Sequence, residues 1–208
     1  MEANAPNHLG FAERLAAPRR RRLQSLRRDA AVIFGAAWVL AFGAPQAQAQ
    51  VRVASEYEIK AEFLSRFPKY VEWPGPAFPA ANKPITIGVL GDDPFGKTLD
   101  DIVRGQIAKD RPLEVKRFRR VEDVRDCQML FISGSESNRL RSVLRELCGL
   151  NILTVSEAEK FVTYGGMIQF VKQPDGVRFK INTNATKRAG LTVSSRLLSL
   201  AVNVRRGD

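Results

Sequence analysis

Short apolar runs separated by polar turns dominate the chain after residue 50. The clearest run, Ile85–Leu90, is rich in β-branched residues, which is typical of a strand buried on both faces. After Pro94 the period changes, and four apolar residues fall on one face of a predicted helix: Phe95, Leu99, Ile102 and Val103. A strand, a tight loop and a helix form the first half of a βαβ unit.

The same two periods predict the remaining elements. Apolar runs predict further strands at 113–118, 128–133 and 151–155, and helical spacing predicts helices at 56–70, 136–147 and 194–204. Stretches 167–171 and 177–181 flank Gln173-Pro-Asp-Gly176, which is typical of a β-hairpin turn. We therefore predict one α/β domain over residues 50–208. It is a three-layer sandwich with a mainly parallel sheet and a late antiparallel hairpin.

Residues 1–49 have the pattern of a signal peptide. A basic region around Arg19–Arg22 precedes Ala30–Ala44, an apolar run without charges. This run is shorter than a membrane-spanning helix requires, although an uncleaved anchor is the alternative. Ala47-Gln48-Ala49 then matches an A-x-A cleavage site. We predict export and cleavage after Ala49.

Composition narrows the chemistry that the exported domain can perform. The only histidine, His8, lies in the leader, so a Ser-His-Asp triad, a Cys-His pair and a zinc site containing histidine are excluded from residues 50–208. Two cysteines are too few for a metal site made of cysteines alone. We predict no catalytic residues, no metal and no cofactor, and a protein that binds rather than an enzyme.

The chain is basic, with a formal net charge of +11, but an exported protein rarely meets nucleic acid, and we predict no nucleic-acid partner. The densest basic cluster is Lys116–Arg120. Its alternation with apolar residues favours a solvated face of an edge-like strand, and an anionic partner or membrane surface is the alternative.

One motif imitates a phosphate loop. Gly91-Asp-Asp-Pro-Phe-Gly96-Lys97-Thr98 matches the G-x-x-x-x-G-K-[ST] pattern between a strand and a helix. However, Asp92 and Asp93 would bring two carboxylates to a polyanion, and Pro94 removes an N–H donor. We favour a helix cap with a solvated Lys97 over a nucleotide enzyme that uses Lys97 and Thr98.

The two cysteines of the exported domain, Cys127 and Cys148, predict a disulfide. Cys127 begins the third predicted strand, and Cys148 ends the helix that returns antiparallel across the sheet, so both sulfurs should lie at one edge. Two separately buried thiols are the alternative.

An ordered set of segments resembles the YfiR family (the YfiR-like or DUF4154 domain). The matching segments are Glu56–Phe63, Val71–Pro74, Ile85–Gly96, Asp126–Ser133, Ile152–Ser156, Gly165–Phe170, Val177–Asn182 and Ala189–Leu198. The resemblance implies a periplasmic regulator that acts as a homodimer. The resemblance further implies that such a regulator binds the periplasmic portion of an inner-membrane diguanylate cyclase, or another sensor, and restrains it, which would lower cyclic di-GMP output.

A second function stays open from the residues themselves. The carboxyl ends of parallel strands, at Gly91, Ser133 and Ser156, predict a crevice of the kind in which α/β proteins bind ligands. The alternative function is therefore a periplasmic module that binds a small ligand.

Overall fold

The apolar run that dominates the sequence is the central strand of the protein. The computed structural model describes residues 46–80 and 82–205, and all six residues of Ile85–Leu90 are buried. The predicted leader, residues 1–49, lies outside the described residues apart from its last four, which begin the first helix.

The strands are numbered in chain order. Their bounds are β1 (Val71–Glu72), β2 (Ile85–Leu90), β3 (Ile107–Ala108), β4 (Arg111–Phe118), β5 (Met129–Ile132), β6 (Leu153–Ser156), β7 (Ile168–Gln173), β8 (Gly176–Asn182), β9 (Thr192–Val193) and β10 (Asn203–Arg205). The α-helices are α1 (Gln46–Arg66), α2 (Lys97–Val103), α3 (Leu140–Glu146), α4 (Thr183–Arg188) and α5 (Ser195–Leu200). Four 3₁₀ helices connect them within the described residues: Phe67–Tyr70, Gly75–Ala77, Val121–Asp126 and Gly134–Arg139.

The main sheet has the strand order β10-β8-β7-β6-β5-β2-β4-β3. Strand β2 runs parallel to both of its neighbours, β4 and β5, and the parallel arrangement continues through β6 to β7. Strand β8 then returns antiparallel to β7, while β1 and β9 pair in a separate small sheet. The predicted fold class, with its late antiparallel hairpin, is confirmed.

Apolar side chains cover both faces of the sheet. Ile87 belongs to a core shared with Leu64 of α1 and Leu99 of α2. On the other face, Leu90 belongs to a core shared with Val143 of α3. Because side chains alternate along a strand, a run of consecutive apolar residues supplies both cores at once. The two helical layers with the sheet between them are the three layers that the sequence predicts.

Two predicted helices differ from the observed ones. The helix expected at 136–147 begins as a 3₁₀ turn, because Arg139 (φ −115°, ψ 12°) departs from helical geometry, and α3 starts at Leu140. The terminal helix expected at 194–204 ends at Leu200. The chain then becomes β10, because the amide of Val202 donates to the carbonyl of Phe179 (3.0 Å) and docks the tail beside β8.

Gly166 allows the start of β7 to approach a buried ring. A Cβ at this position would lie 2.2 Å from Cε1 of Phe161, a distance that no side chain tolerates. Phe161 is fully buried in the core on the α3 face of the sheet. The glycine is therefore required by packing.

Candidate functional site

The carboxyl ends of β2 and β5 form the edge at which this fold offers a crevice. The chain leaves β2 toward β4 on one side and later crosses to β5 on the other, which makes this edge a topological switch point. An open depression of 440 Å³ lies there, lined by Gly91, Asp93, Arg117 and Glu136 among others. Of the three residues predicted to form the crevice, Gly91 lines this depression, whereas Ser133 and Ser156 do not.

The loops after β2 and β5 close on each other. Gly91 has φ +88°, and a Cβ there would lie 2.4 Å from Oγ of Ser135. The same hydroxyl accepts a hydrogen bond from the amide of Asp92 (3.0 Å). The glycine thus permits a contact that fills part of the predicted crevice with protein atoms.

The two serines bond within the protein. The hydroxyl of Ser156 donates to the carbonyl of Ile132 (2.7 Å) and accepts from the amide of Ala158 (3.1 Å). Ser133 accepts from the amide of Ser135 (3.4 Å). The Ser156 hydroxyl therefore both donates and accepts within the protein, and the Ser133 hydroxyl supports the turn after β5.

Two charged side chains of the phosphate-loop-like segment Gly91–Thr98 form ion pairs within the protein. Arg117 donates to Asp93 (2.9 Å from Nε), to Asp100 (2.7 Å from Nη1) and to the carbonyl of Gly96 (2.9 Å). The hydrogen bond from Arg117 holds the pKa of Asp100 below its usual value. Lys97 pairs instead with Asp101 (3.0 Å). The two acidic groups around this loop therefore neutralise an arginine.

Much of the basic cluster Lys116–Arg120 is also paired. Lys116 contacts Glu114 (2.7 Å), and Arg120 contacts Glu122 (3.4 Å), in addition to the two aspartates around Arg117. Neighbouring carboxylates compensate these charges, so the cluster gives little support to an anionic partner at this strand.

The structure contains a polar network at the carboxyl edge of the sheet that the sequence did not predict. Lys60 of α1 is buried, and its ammonium group pairs with Glu56 (2.8 Å) and with Glu157, which follows β6. Tyr57 donates its hydroxyl to Glu157 (2.9 Å), and the Lys60 ammonium lies 4.4 Å from the centre of the Tyr57 ring. Lys172 of β7 completes the network through Glu56 (2.8 Å). We call these five residues the α1 network.

The charges of the α1 network keep Tyr57 protonated and Glu56 ionised. Burial, together with the hydrogen bond to Glu157, raises the pKa of Tyr57 to about 12. Hydrogen bonds from Lys172 and Lys60 lower the pKa of Glu56. The tyrosine stays protonated as a donor, and the glutamate stays charged. This arrangement anchors α1 to the sheet. The only local signal was the i,i+4 pair of Glu56 and Lys60, because Glu157 lies 97 residues after Lys60.

The predicted disulfide is absent from the structure, in which Cys127 and Cys148 are both free. Cys127 is buried, and its sulfur lies over Gly88 of β2, where an added Cβ would approach it to 2.9 Å. Cys148 is exposed and lines a groove with residues of β6 and α4. The structure thus places the two sulfurs in different environments, the Cys127 sulfur inside the core and the Cys148 sulfur at the surface, and it does not show the bond predicted from sequence.

The described part of the chain contains no cluster of three or more side chains suited to holding a metal ion. No helix among those residues has the length and apolar character needed to cross a bilayer. Every buried polar side-chain atom that the structure describes has a hydrogen-bond partner.

No curated protein matches this chain. Among solved structures, it is similar to a conserved domain protein from Vibrio cholerae O1 biovar El Tor (13% identity, TM-score 0.47, 72% of this chain). It is also similar to an ABC domain in complex with L-Trp from Streptococcus pneumoniae (12% identity, TM-score 0.48, 70% of this chain). The matched region spans 60% of each of those chains.

One family matches nearly all of the folded unit. The YfiR/HmsC-like description, DUF4154, applies to residues 57–202, from the second residue of the α1 network to the turn before β10. The matched region contains both cores of the sheet. The chain therefore belongs to the YfiR/HmsC-like family, a family of regulatory proteins.

Proposed function

We propose that this protein is a periplasmic regulator that binds the periplasmic portion of an inner-membrane diguanylate cyclase and holds the enzyme inactive. The observation that carries this proposal is the family match over residues 57–202, which includes almost every element of the described fold. The leader predicted over residues 1–49 would place the domain in the compartment where the sensor portion of such an enzyme is exposed.

The chemistry of the described residues agrees with a binding role. At the carboxyl edge of the sheet, the hydroxyls of Ser133 and Ser156 and the carboxylate of Asp93 are already bonded within the protein. A catalytic group has to reach a substrate atom. These three groups instead form hydrogen bonds that stabilise the segments in which they lie. The α1 network likewise holds a helix in place.

Two exposed apolar sites at opposite ends of the sheet are candidates for contact with the partner. Ile107 of β3 is 61% exposed at one edge. Leu200 is 56% exposed at the end of α5, close in the chain to β10 at the other edge. Large exposed apolar side chains of this kind are common in protein interfaces. We propose that one of these ends contacts the cyclase and that the protein is a homodimer.

The test measures cyclic di-GMP in cells that produce the cyclase with or without this protein. We expect the full chain to lower cyclic di-GMP, and we expect no effect from residues 50–208 without the leader, since that version stays on the other side of the membrane. Pull-down from solubilised membranes with the tagged full chain should recover the cyclase. Leu200→Asp and Ile107→Asp then identify which end of the sheet binds.

Unchanged cyclic di-GMP, combined with no cyclase in the pull-down, would overturn the proposal. Recovery of a different membrane sensor would keep the regulatory role and replace the partner. The ligand-binding alternative receives limited support from the crevice that suggested it, because protein atoms fill part of that crevice.

A further inference from the structure

A groove between α3 and α4 combines positive charge with an apolar floor. It has a volume of 200 Å³ and is open to solvent on one side. Arg141 and Arg145 of α3 and Arg188 of α4 line it, together with Tyr164 and Cys148. We call it the arginine groove. It lies away from the carboxyl-edge depression and from the α1 network, with which it shares no residue.

The charges of the three arginines are not balanced by neighbouring acids. None of them forms an ion pair with a carboxylate among the described residues, and no acidic side chain lines the groove. Arg117, by contrast, is bound by two aspartates. The guanidinium of Arg141 stacks 4.2 Å from the centre of the Tyr164 ring, which holds its fork at one wall of the groove. Nε of Arg145 donates to the carbonyl of Arg141 (3.4 Å), so the lining of the groove contains three guanidinium groups and no carboxylate that neutralises them.

The floor of the groove is apolar. Its buried side chains come from the end of α3, the start of the hairpin and α4: Leu147, Met167, Ala185 and Ala189. The hydroxyl of Thr154, also in the lining, accepts from the amide of Met167 (3.2 Å) and is therefore satisfied. A ligand would meet apolar surface below and guanidinium groups at the rim.

We propose that the arginine groove binds a small organic carboxylate with an aromatic or similarly compact apolar body. Guanidinium groups hold carboxylates through two parallel hydrogen bonds, and an apolar floor gains free energy from covering a ring. A volume of 200 Å³ equals the share of about seven water molecules in the liquid, which fits one ring and its carboxylate. This binding goes beyond the proposed restraint of a cyclase and does not depend on it.

Cys148 supplies the readout, since it lines the groove and is exposed, whereas Cys127 is buried. The experiment follows the alkylation of Cys148 in the purified full chain by N-ethylmaleimide, a neutral reagent. Benzoate is the probe, benzamide is its neutral isostere, and inorganic phosphate is an anion without an apolar body. For a ligand of this size we expect a Kd of about 1 mM for benzoate.

We expect benzoate at ten times this Kd to slow alkylation several-fold, and benzamide and phosphate to leave the rate nearly unchanged. The double variant Arg145→Gln, Arg188→Gln should lose the protection. The double variant Arg125→Gln, Arg196→Gln should keep it, because both are exposed arginines outside the groove and their replacement removes the same two charges. Amide NMR signals of Gly149, Gly165 and Ala189 should shift with benzoate in the native chain, which detects binding that leaves the thiol open.

Three results would overturn the proposal. Equal protection by benzamide would show an apolar cavity that does not select charge, and equal protection by phosphate would show an unspecific anion site. Protection that survives the double variant would place the ligand elsewhere. The absence of both protection and NMR shifts up to 50 times the expected Kd would exclude binding of this class.

Discussion

The two cysteine side chains occupy environments that differ strongly in burial. Cys127 lies in the core between β2 and β5, where burial raises the pKa of its thiol to about 12. The thiolate is the reactive form of cysteine, so this buried thiol is held in its unreactive, protonated form. Cys148 is exposed to solvent. The same residue type is therefore protected at one position and accessible at the other.

We expect Cys148 to react with a maleimide in the folded protein and Cys127 to react only when the protein unfolds. Timed pulses of the reagent followed by mass spectrometry measure both rates, and Cys148→Ser should abolish the fast one. Thiol counting on unfolded, unreduced protein should find two thiols per chain. A count of zero would contradict the structure and favour the bond predicted from sequence.

At the scale of elements, the α1 network explains how the first helix is held. Leu64 and other apolar residues of α1 pack on the sheet, and the polar network adds contacts at the carboxyl edge. Lys60 contacts Glu157 beyond the end of β6, and Lys172 contacts Glu56 from β7. The segment after β6 and strand β7, both distant from α1 in sequence, thus hold α1 at the carboxyl edge of the sheet.

Lys60→Met should destabilise the protein by about 2–3 kcal/mol. It keeps the apolar stem but leaves Glu56 and Glu157 without their shared cation, and partial exposure of both acids lowers the cost below the 3–5 kcal/mol of a fully buried pair. Urea unfolding at pH 7 measures the change. Lys97→Met is the matched control, since it removes an exposed i,i+4 pair, and we expect no measurable effect.

The effect of Lys60→Met should depend on pH. The folded pKa of Glu56 lies below its usual value of 4.5, so its charge contributes stability above that value, and the contribution disappears as pH falls through the folded pKa. The difference in unfolding free energy between the native chain and Lys60→Met should therefore shrink between pH 5 and pH 3. A difference that stays constant would assign the effect to packing.

At the scale of the whole molecule, the export predicted from sequence would decide which partners the protein can meet. We expect the exported protein to begin at Gln50, because Ala47 and Ala49 have the small side chains of an A-x-A cleavage site. Cleavage there removes the first four residues of α1 and retains Glu56 and Lys60. Mass spectrometry of the periplasmic fraction checks the boundary, and Ala49→Asp should block cleavage. A different N-terminus in the native chain would place the boundary elsewhere.

The sequence by itself determined the architecture. The run Ile85–Leu90 predicted a strand buried on both faces, and the alternation of Val177, Phe179 and Ile181 predicted one arm of the hairpin. Both are present, although the hairpin pairs Gln173 with Gly176 and turns at the two residues between them. These predictions succeeded because burial repeats with the period of the local backbone, so a short segment contains its own evidence.

Only the tertiary structure decided the pairings between distant residues. Strands β1 and β9 pair although they are far apart in the sequence. Each has only two residues, and a strand of that length is too short to show a periodic pattern. The contact between Lys60 and Glu157, the different environments of Cys127 and Cys148 and the groove lined by arginines of α3 and α4 depend on how the helices pack on the sheet. That packing results from the summed contacts of two cores, and no local pattern of residues encodes it.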